Sequence, residues 1–225
     1  MNLAADYLTA GGFTEIMSNS LTKESYYEGL TSYPAARCVR ILNPLSADLN
    51  VMRQTLLFNT MEAVQLNANR RNGNLRLYEF GNCYFYDEAA RDAEKPLSAY
   101  SEQYRLAIAV TGAAVPQSWN AKPQASSFFT LRAVAEKLLR RFGLDIYALK
   151  CEPLQSDLFG DGISLSAGNG RELLQMGVVA PRIRRAFDLK QEVYYLEMNF
   201  DALVKSTRKH RIAFEELSKF PEVKR

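Results

Sequence analysis

One histidine in 225 residues, His210, leaves almost no room for His-ligated metal sites or for Ser-His and Cys-His nucleophile chemistry. The three cysteines, Cys38, Cys83 and Cys151, are odd in number and far apart, with no CxxC pair. They suit reduced thiols, and exclude a disulfide frame or a zinc site. No apolar run approaches the roughly 20 residues that span a bilayer, and the N-terminus lacks the layout of a signal peptide. The expected location is therefore the cytoplasm. There is no internal repeat and no low-complexity tract. A net charge of +3, from 28 basic and 25 acidic residues, is too small to argue for a dedicated nucleic-acid binder. With 47% hydrophobic and 24% charged residues, the composition is that of an ordinary globular protein, with one large domain or two small ones.

Periodicity fills in the elements. Leu3, Tyr7 and Leu8 predict a helix stopped by Gly11-Gly12. A strand is expected over Thr14–Leu21, a short capped helix over Leu21–Tyr27 and a strand over Cys38–Leu42. Leu57, Met61, Val64 and Ala68 form one stripe of a long helix from about Thr55, able to cap its first turn, to Arg71. Asn72-Gly73-Asn74 ends it with residues that tolerate positive φ. Leu75–Tyr86 and Tyr104–Gly112 predict paired strands around an exposed loop, Asp87–Gln103. Ser126 or Ser127 caps a helix with the stripe Phe128, Leu131, Ala135, Leu138 and Phe142, stopped by Gly143. Strands follow at Ile146–Cys151, Ile163–Ala167, Leu173–Ala180 and Val193–Phe200. Gly168-Asn169-Gly170 makes a hairpin turn, and Pro181 opens a short helix to Phe187. Consecutive strands with a few covering helices predict an α+β fold with an antiparallel sheet flanked by helices. The core is expected over residues 1–204. Beyond it, 205–225 reads as a polar, basic linker and the truncated start of another domain.

The most particular stretch is Leu42-Asn43-Pro44-Leu45-Ser46, followed by Met52-Arg53-Gln54-Thr55-Leu56-Leu57. An Asn-Pro step forces an extended residue and a turn. The segment resembles the "NPLS…MRTSLL" signature of the beta subunit of bacterial phenylalanine–tRNA ligase. Tyr78-Glu79-Phe80-Gly81-Asn82 is similar to that family's "FELGNVY", and Gly177–Phe187 to its "GxLHPxxxxxF". Tyr194–Met198 resembles its "VYxFELDL" strand. Ser218-Lys219-Phe220-Pro221 resembles the opening of its ferredoxin-like anticodon-binding domain. The resemblance implies a class II aminoacyl-tRNA synthetase-like fold that is catalytically inactive. It implies a partner, the catalytic alpha subunit, in a heterotetramer of two alpha and two beta subunits that charges tRNA(Phe). It also implies that ATP and magnesium serve the full complex, with no cofactor bound by this chain. Asn43, Pro44, Ser46, Arg53, Leu56 and Leu57 are the candidate interface residues.

Spacing agrees with catalytic silence. A class II active site needs a strand-borne arginine for the α-phosphate, with an acid two residues on and so on the same face. The nearest candidates, Arg76 and Glu79, are three apart and point to opposite faces of a strand. For a second arginine, Gly177 and Arg182, Arg184 and Arg185 are nearest, but Val178, Val179 and Ala180 stand where active enzymes carry repeated glycines. Two rival functions are a free-standing ATP-dependent amino-acid-activating enzyme and an RNA-binding module. Each arginine also has a structural reading. Arg53 pairs with backbone carbonyls or with an acid such as Asp48. Glu79 and Glu197 are strand carboxylates satisfied by arginines. The Arg70-Arg71, Arg140-Arg141 and Arg182–Arg185 groups are solvated helix ends.

Overall fold

The structure is a computed structural model and describes residues 1–44, 46 and 48–207. Helix α1 (Asn2–Ala10) buries Ala4 and Leu8 and ends at Gly11-Gly12, where Gly12 is left-handed. Strand β1 is only Thr14–Glu15, much shorter than the periodicity predicts. The ladder stops because Ser18 turns its backbone N–H and its hydroxyl to the Glu79 carboxylate, at 3.1 and 2.9 Å. Leu21–Thr22 is not helical. It forms β2, which pairs antiparallel with β3 (Val51–Met52), and a single 3-10 turn covers Glu24–Tyr27. Cys38–Leu42 is not a strand either, since only Arg40 bridges to Val51.

Helix α2 (Leu57–Asn69) has the predicted stripe and ends in a Schellman motif. The Asn72 N–H bonds Asn67 O at 3.0 Å and the Arg71 N–H bonds Ala68 O at 2.9 Å. The left-handed residue is Arg71, φ 62°, and not a member of Asn72-Gly73-Asn74. Strands β4 (Leu75–Tyr86) and β5 (Tyr100–Thr111) pair without interruption, from Leu75 opposite Thr111 to Tyr86 opposite Tyr100. The connection between them is therefore 87–99, shorter than the expected loop. A small ribbon, β6 (Ala113–Val115) and β7 (Gln124–Ala125), leads into α3 (Phe128–Arg141). Ser127 is its cap, in a reciprocal capping box with Thr130.

After α3, Ile146–Ala148 is a 3-10 turn and β8 is Lys150–Pro153. Then come β9 (Phe159–Ser166), the expected glycine turn with Gly170 at φ 77°, and β10 (Glu172–Val179). Helix α4 (Pro181–Ala186) precedes β11 (Val193–Asn199) and α5 (Phe200–Thr207). The expected linker thus begins as helix, because Phe200, Ala202 and Leu203 pack into the core. The remainder of 205–225 lies outside the described residues.

The sheet order is β1-β4-β5-β11-β10-β9-β8. All pairs are antiparallel except β1 with β4, the one departure from the predicted arrangement. Strand alternation divides the interior in two. Leu77, Ala107, Ala109 and Tyr195 face α2 and α4, while Tyr78, Leu106, Ile108 and Leu196 face α1, α3 and α5. This three-layer arrangement buries both faces of the central strands. Leu138 of α3 is fully buried in the second layer. Leu138→Ala is expected to cost about 2–5 kcal/mol, the range for a truncated core leucine, read as a drop in the urea midpoint at unchanged m-value.

Candidate functional site

On the α2-facing side of the sheet, parity brings Glu79 from β4, Arg105 from β5 and Glu197 from β11 to one surface. Glu197 is the hub. Its Oε1 accepts from Arg105 Nη1, and its Oε2 accepts from Thr55 Oγ1 (2.5 Å), Tyr195 OH (2.5 Å) and the Leu56 N–H (3.2 Å). Thr55 Oγ1 in turn accepts the Leu57 N–H at 3.1 Å, so the expected capping by Thr55 is made, with a carboxylate behind it. An anion placed where α2 begins also favours the helix dipole. Burial, and then the Glu197 charge, push the Tyr195 phenol well above its ordinary pKa, which keeps its proton available to donate. The same causes raise the buried Cys83 thiol and leave it unreactive.

The second pair is Arg53–Glu79, at 2.7 Å with relative exposures of 3% and 1%. Arg53 Nε also donates to Asn82 O at 3.0 Å, and the Tyr84 N–H bonds Arg53 O at 2.8 Å. Arg53 thereby covers the outer edge of β4 beyond the short β1. Asp48 pairs instead with Lys23, at 3.5 Å. The guanidinium passes directly over Gly81, where a Cβ would lie 2.0 Å from Arg53 Nη2, so only glycine admits the pair.

Arg76 and Glu79 do point to opposite faces. Arg76 binds Gly11 O and Ala114 O, at 3.2 and 2.7 Å, far from any carboxylate frame. Gly177 is explained by packing, since its Cβ would lie 2.2 Å from Asp161 O of the adjacent strand. Arg182, Arg184 and Arg185 each donate to backbone carbonyls: Glu28 O, Val179 O with Gln191 O, and Pro181 O. Arg140 pairs with Glu136, and Arg141 sits over the Tyr7 ring.

The candidate interface residues separate into two groups. Asn43, Pro44 and Ser46 are exposed, beside Leu42 at 92% exposure. Arg53, Leu56 and Leu57 are buried in this chain's own core. Sequence reasoning missed Arg105. Its signal was a lone arginine sharing parity with Ala107 and Ala109, just before the apolar run Leu106–Val110 of a central strand. Arg105 donates to Tyr33 OH (2.8 Å), to Gln103 Oε1 (2.8 Å from Nη2) and to Glu197, so its donors are largely committed. Burial alone would lower its pKa. Tyr33 and Glu197 outweigh that and hold the guanidinium charged.

Above this frame lies an open polar cleft of two adjoining lobes, about 250 and 240 Å³, which share Tyr33, Gln103, Arg105 and Gln175. One lip is held by Asp157, whose carboxylate accepts from the Thr31 hydroxyl and from the Thr31 and Ser32 N–H groups. Among the described residues no group of three His, Cys, Asp or Glu side chains gathers to hold a metal ion. Nor is any described helix long and apolar enough to cross a membrane.

The family model described as the phenylalanyl tRNA synthetase beta chain CLM domain matches residues 1–200. The chain belongs to that family. The phenylalanine–tRNA ligase beta subunit of Bacteroides thetaiotaomicron is 46% identical over 224 residues, all of this chain and 27% of that protein. The beta subunit of Porphyromonas gingivalis is 39% identical over 223 residues, 99% of this chain and 27% of the relative. The chain therefore spans about a quarter of the length of the curated relatives it matches. Among solved structures, the pyrrolysyl tRNA synthetase PylSc of Desulfitobacterium hafniense superposes with a TM-score of 0.66 at 15% identity, over 91% of this chain and 66% of that one. This likeness establishes the fold, a class II synthetase-like antiparallel sheet flanked by helices.

Two outcomes follow for a member of this family built on paired buried charges. Arg53→Met is expected to destabilise by about 3–5 kcal/mol, because Glu79 is left buried and unpaired. The double change to Met at 53 and 79 is expected to recover much of that loss in denaturant midpoints. For Asp157, burial acts to raise the pKa, but the hydrogen bonds from Ser32 and Thr31 prevail and lower it. Its contribution to stability is thus complete above the ordinary aspartate value of 3.8 and is lost as pH falls through the lower folded value. The gap in urea midpoint between wild type and Asp157→Asn is expected to be constant near neutrality and to close in strong acid.

Proposed function

We propose that this chain is a non-catalytic, synthetase-like domain of a phenylalanine–tRNA ligase beta subunit, and that its work is assembly with the catalytic alpha subunit. In this reading the whole complex is a cytoplasmic heterotetramer of two alpha and two beta subunits. It charges tRNA(Phe) with phenylalanine, using ATP and magnesium bound elsewhere than in this chain. The observation that carries the reading is the state of Arg105. It is a central-strand guanidinium that lines the polar cleft, and it is spent on Glu197, Tyr33 and Gln103. Arg37 and Arg105 are balanced across the cleft by Glu172 and Glu197, which leaves no net positive charge for a triphosphate. The arginines of α4 are occupied by carbonyls, and Val178 and Val179 stand where a nucleotide would need glycine.

A chain freed from catalysis can use its buried charges to hold shape. The Arg53–Glu79 and Glu197 frames fix the start of α2 and, through β2 and β3, the loop that carries Leu42, Asn43, Pro44 and Ser46. That exposed loop is the proposed contact with the alpha subunit, with Arg53, Leu56 and Leu57 as its internal support. Apolar Leu42 beside a rigid Asn-Pro step suits an interface anchor, because little conformational freedom is lost on docking.

Mixing the chain, in its full beta subunit, with the alpha subunit is expected to give a single complex in size-exclusion chromatography. Leu42→Asp together with Asn43→Ala is expected to weaken that complex by about tenfold or more, the loss typical of an anchor residue. Separate elution at micromolar concentration would overturn the assembly reading. A calorimetric titration of this chain with ATP and magnesium is expected to be flat, and measurable heat of binding would favour the enzyme reading.

A further inference from the structure

The sheet face that α3 covers is not covered to its end. Register places Asp161 of β9, Val178 of β10 and Tyr194 of β11 in one row across three neighbouring strands, on that face. The row behind it, Ile163, Met176 and Leu196, packs into the second core layer. Helix α3 begins only at Phe128, and a cavity of about 320 Å³ is left over the outer row. Its walls are Phe128, Ile163, Val178 and Tyr194, all half-buried, with Asp161 and Glu192 exposed on the rim. Phe128 meets the exposed Phe129 edge-on, at 5.8 Å between ring centres.

The two carboxylates stand on opposite sides of an apolar floor. Adjacent strands lie about 4.8 Å apart, so the α-carbons of Asp161 and Tyr194, two strands apart, are separated by about 10 Å. Glu192 stands on the Tyr194 side, where its Oε2 accepts from Tyr194 OH at 2.5 Å. That hydrogen bond, with burial behind it, pushes the Tyr194 phenol up to about 12, so the ring stays neutral near pH 7. Neither acid forms an ion pair among the described residues, and no cation lines the cavity. Arg184, whose charge acts on Tyr194, donates instead to Val179 O and Gln191 O. The cavity therefore combines two uncompensated negative charges at its ends with aromatic and aliphatic surface between them.

We infer that this cavity binds a linear aliphatic diammonium ion of the polyamine class. One ammonium group pairs with Asp161 and the other with Glu192, and the methylene chain lies over Val178 beside the Phe128 and Tyr194 rings. No bond is made or broken. Aromatic faces attract ammonium groups, and the methylenes gain by leaving water. A compact cation would neutralise one carboxylate and touch none of the apolar floor. A neutral or anionic chain would leave both rim charges uncompensated. The volume lies at the lower end of the range of about 300–1,000 Å³ for small-molecule sites, which suits a slender chain. The cavity is on the opposite sheet face from the polar cleft. It uses neither the Leu42–Ser46 loop nor a partner, so this inference does not rest on the assembly reading.

The test is calorimetry of the full chain with putrescine and with spermidine at low salt, joined to amide NMR shift mapping with the same two ligands. At least one is expected to bind with a dissociation constant on the order of 0.1–1 mM, an affinity in keeping with two rim ion pairs and a short buried chain. The largest shifts are expected at Asp161–Ile163, Val178 and Glu192–Tyr194. Butylamine, which keeps the chain but has one ammonium group, and magnesium ion, which has the charge but no chain, are each expected to bind about tenfold more weakly or worse. Asp161 and Glu192 are exposed, so Asp161→Asn and Glu192→Gln are expected to fold normally and to weaken binding together by about tenfold. The proposal is overturned if neither diamine binds at about 10 mM, a concentration that fills even weak specific sites. It is overturned if butylamine binds as tightly, since a single ammonium such as a partner's lysine would then suffice, or if magnesium does, since charge alone would then account for binding. It is equally overturned if the double variant binds as well as wild type. The shift map needs no variant, and shifts lying away from these three strands overturn the proposal by themselves. Assembly with the alpha subunit is measured separately, so either result stands without the other.

Discussion

Four donors converge on one carboxylate, that of Glu197, and the placement of the layers depends on them. Arg105 brings in β5, Tyr195 fixes the carboxylate on its own strand, and Thr55 with the Leu56 N–H delivers the start of α2. A charge at 8% exposure is tolerable only because both of its oxygens accept hydrogen bonds, one of them from a guanidinium. The cost of desolvation is offset in three ways: a guanidinium on one oxygen, hydroxyls on the other, and the partial positive charge of a helix that begins there. Remove that convergence and the helix has no reason to begin at Leu57 or to lie across this part of the sheet. Hydrophobic burial makes the layers stick, and the carboxylate decides where they stop.

The neighbouring Arg53–Glu79 pair applies the same logic at the sheet's edge. Glu79 also takes the Ser18 hydroxyl and backbone N–H, which pulls the chain away from β4 just after β1. The two acids thus account for features that would otherwise look unrelated. One shortens the parallel edge strand and lets an arginine cover the exposed edge. The other sets the register of a helix against three antiparallel strands.

Much of this was legible in the residues. The twelve-residue strand from Leu75, the stripe of α2, the capped α3 and the glycine hairpin all follow from local periodicity and turn chemistry, which depend on near neighbours only. The opposition of Arg76 and Glu79 was also readable, because strand parity is a local rule. What could not be read was the partner of each buried charge. Glu79 finds an arginine 26 positions earlier and Glu197 one 92 positions earlier, so the pairs exist only once the sheet order is known. Thr14–Leu21 and Cys38–Leu42 have strand-like composition, yet side-chain carboxylates and a 3-10 turn claim the donors a ladder would have used. The basic stretch after Leu203 looked like a linker because charge outweighed Phe200 and Leu203 in the reading. In the structure those two apolar residues fix the helix.

Gly81 carries a consequence for how such a chain can change over time. The space above its α-carbon is filled by a guanidinium that starts 28 positions earlier in the sequence, so the two sites share one volume. Any side chain at 81 evicts the arginine and strands the acid beneath it. Shortening residue 53 opens a hole that a methyl at 81 could occupy. Because the acid beneath is stranded whenever the arginine goes, the glycine, the arginine and Glu79 are free to drift only as a set of three, which makes the missing methyl group and the distant ion pair a single heritable unit.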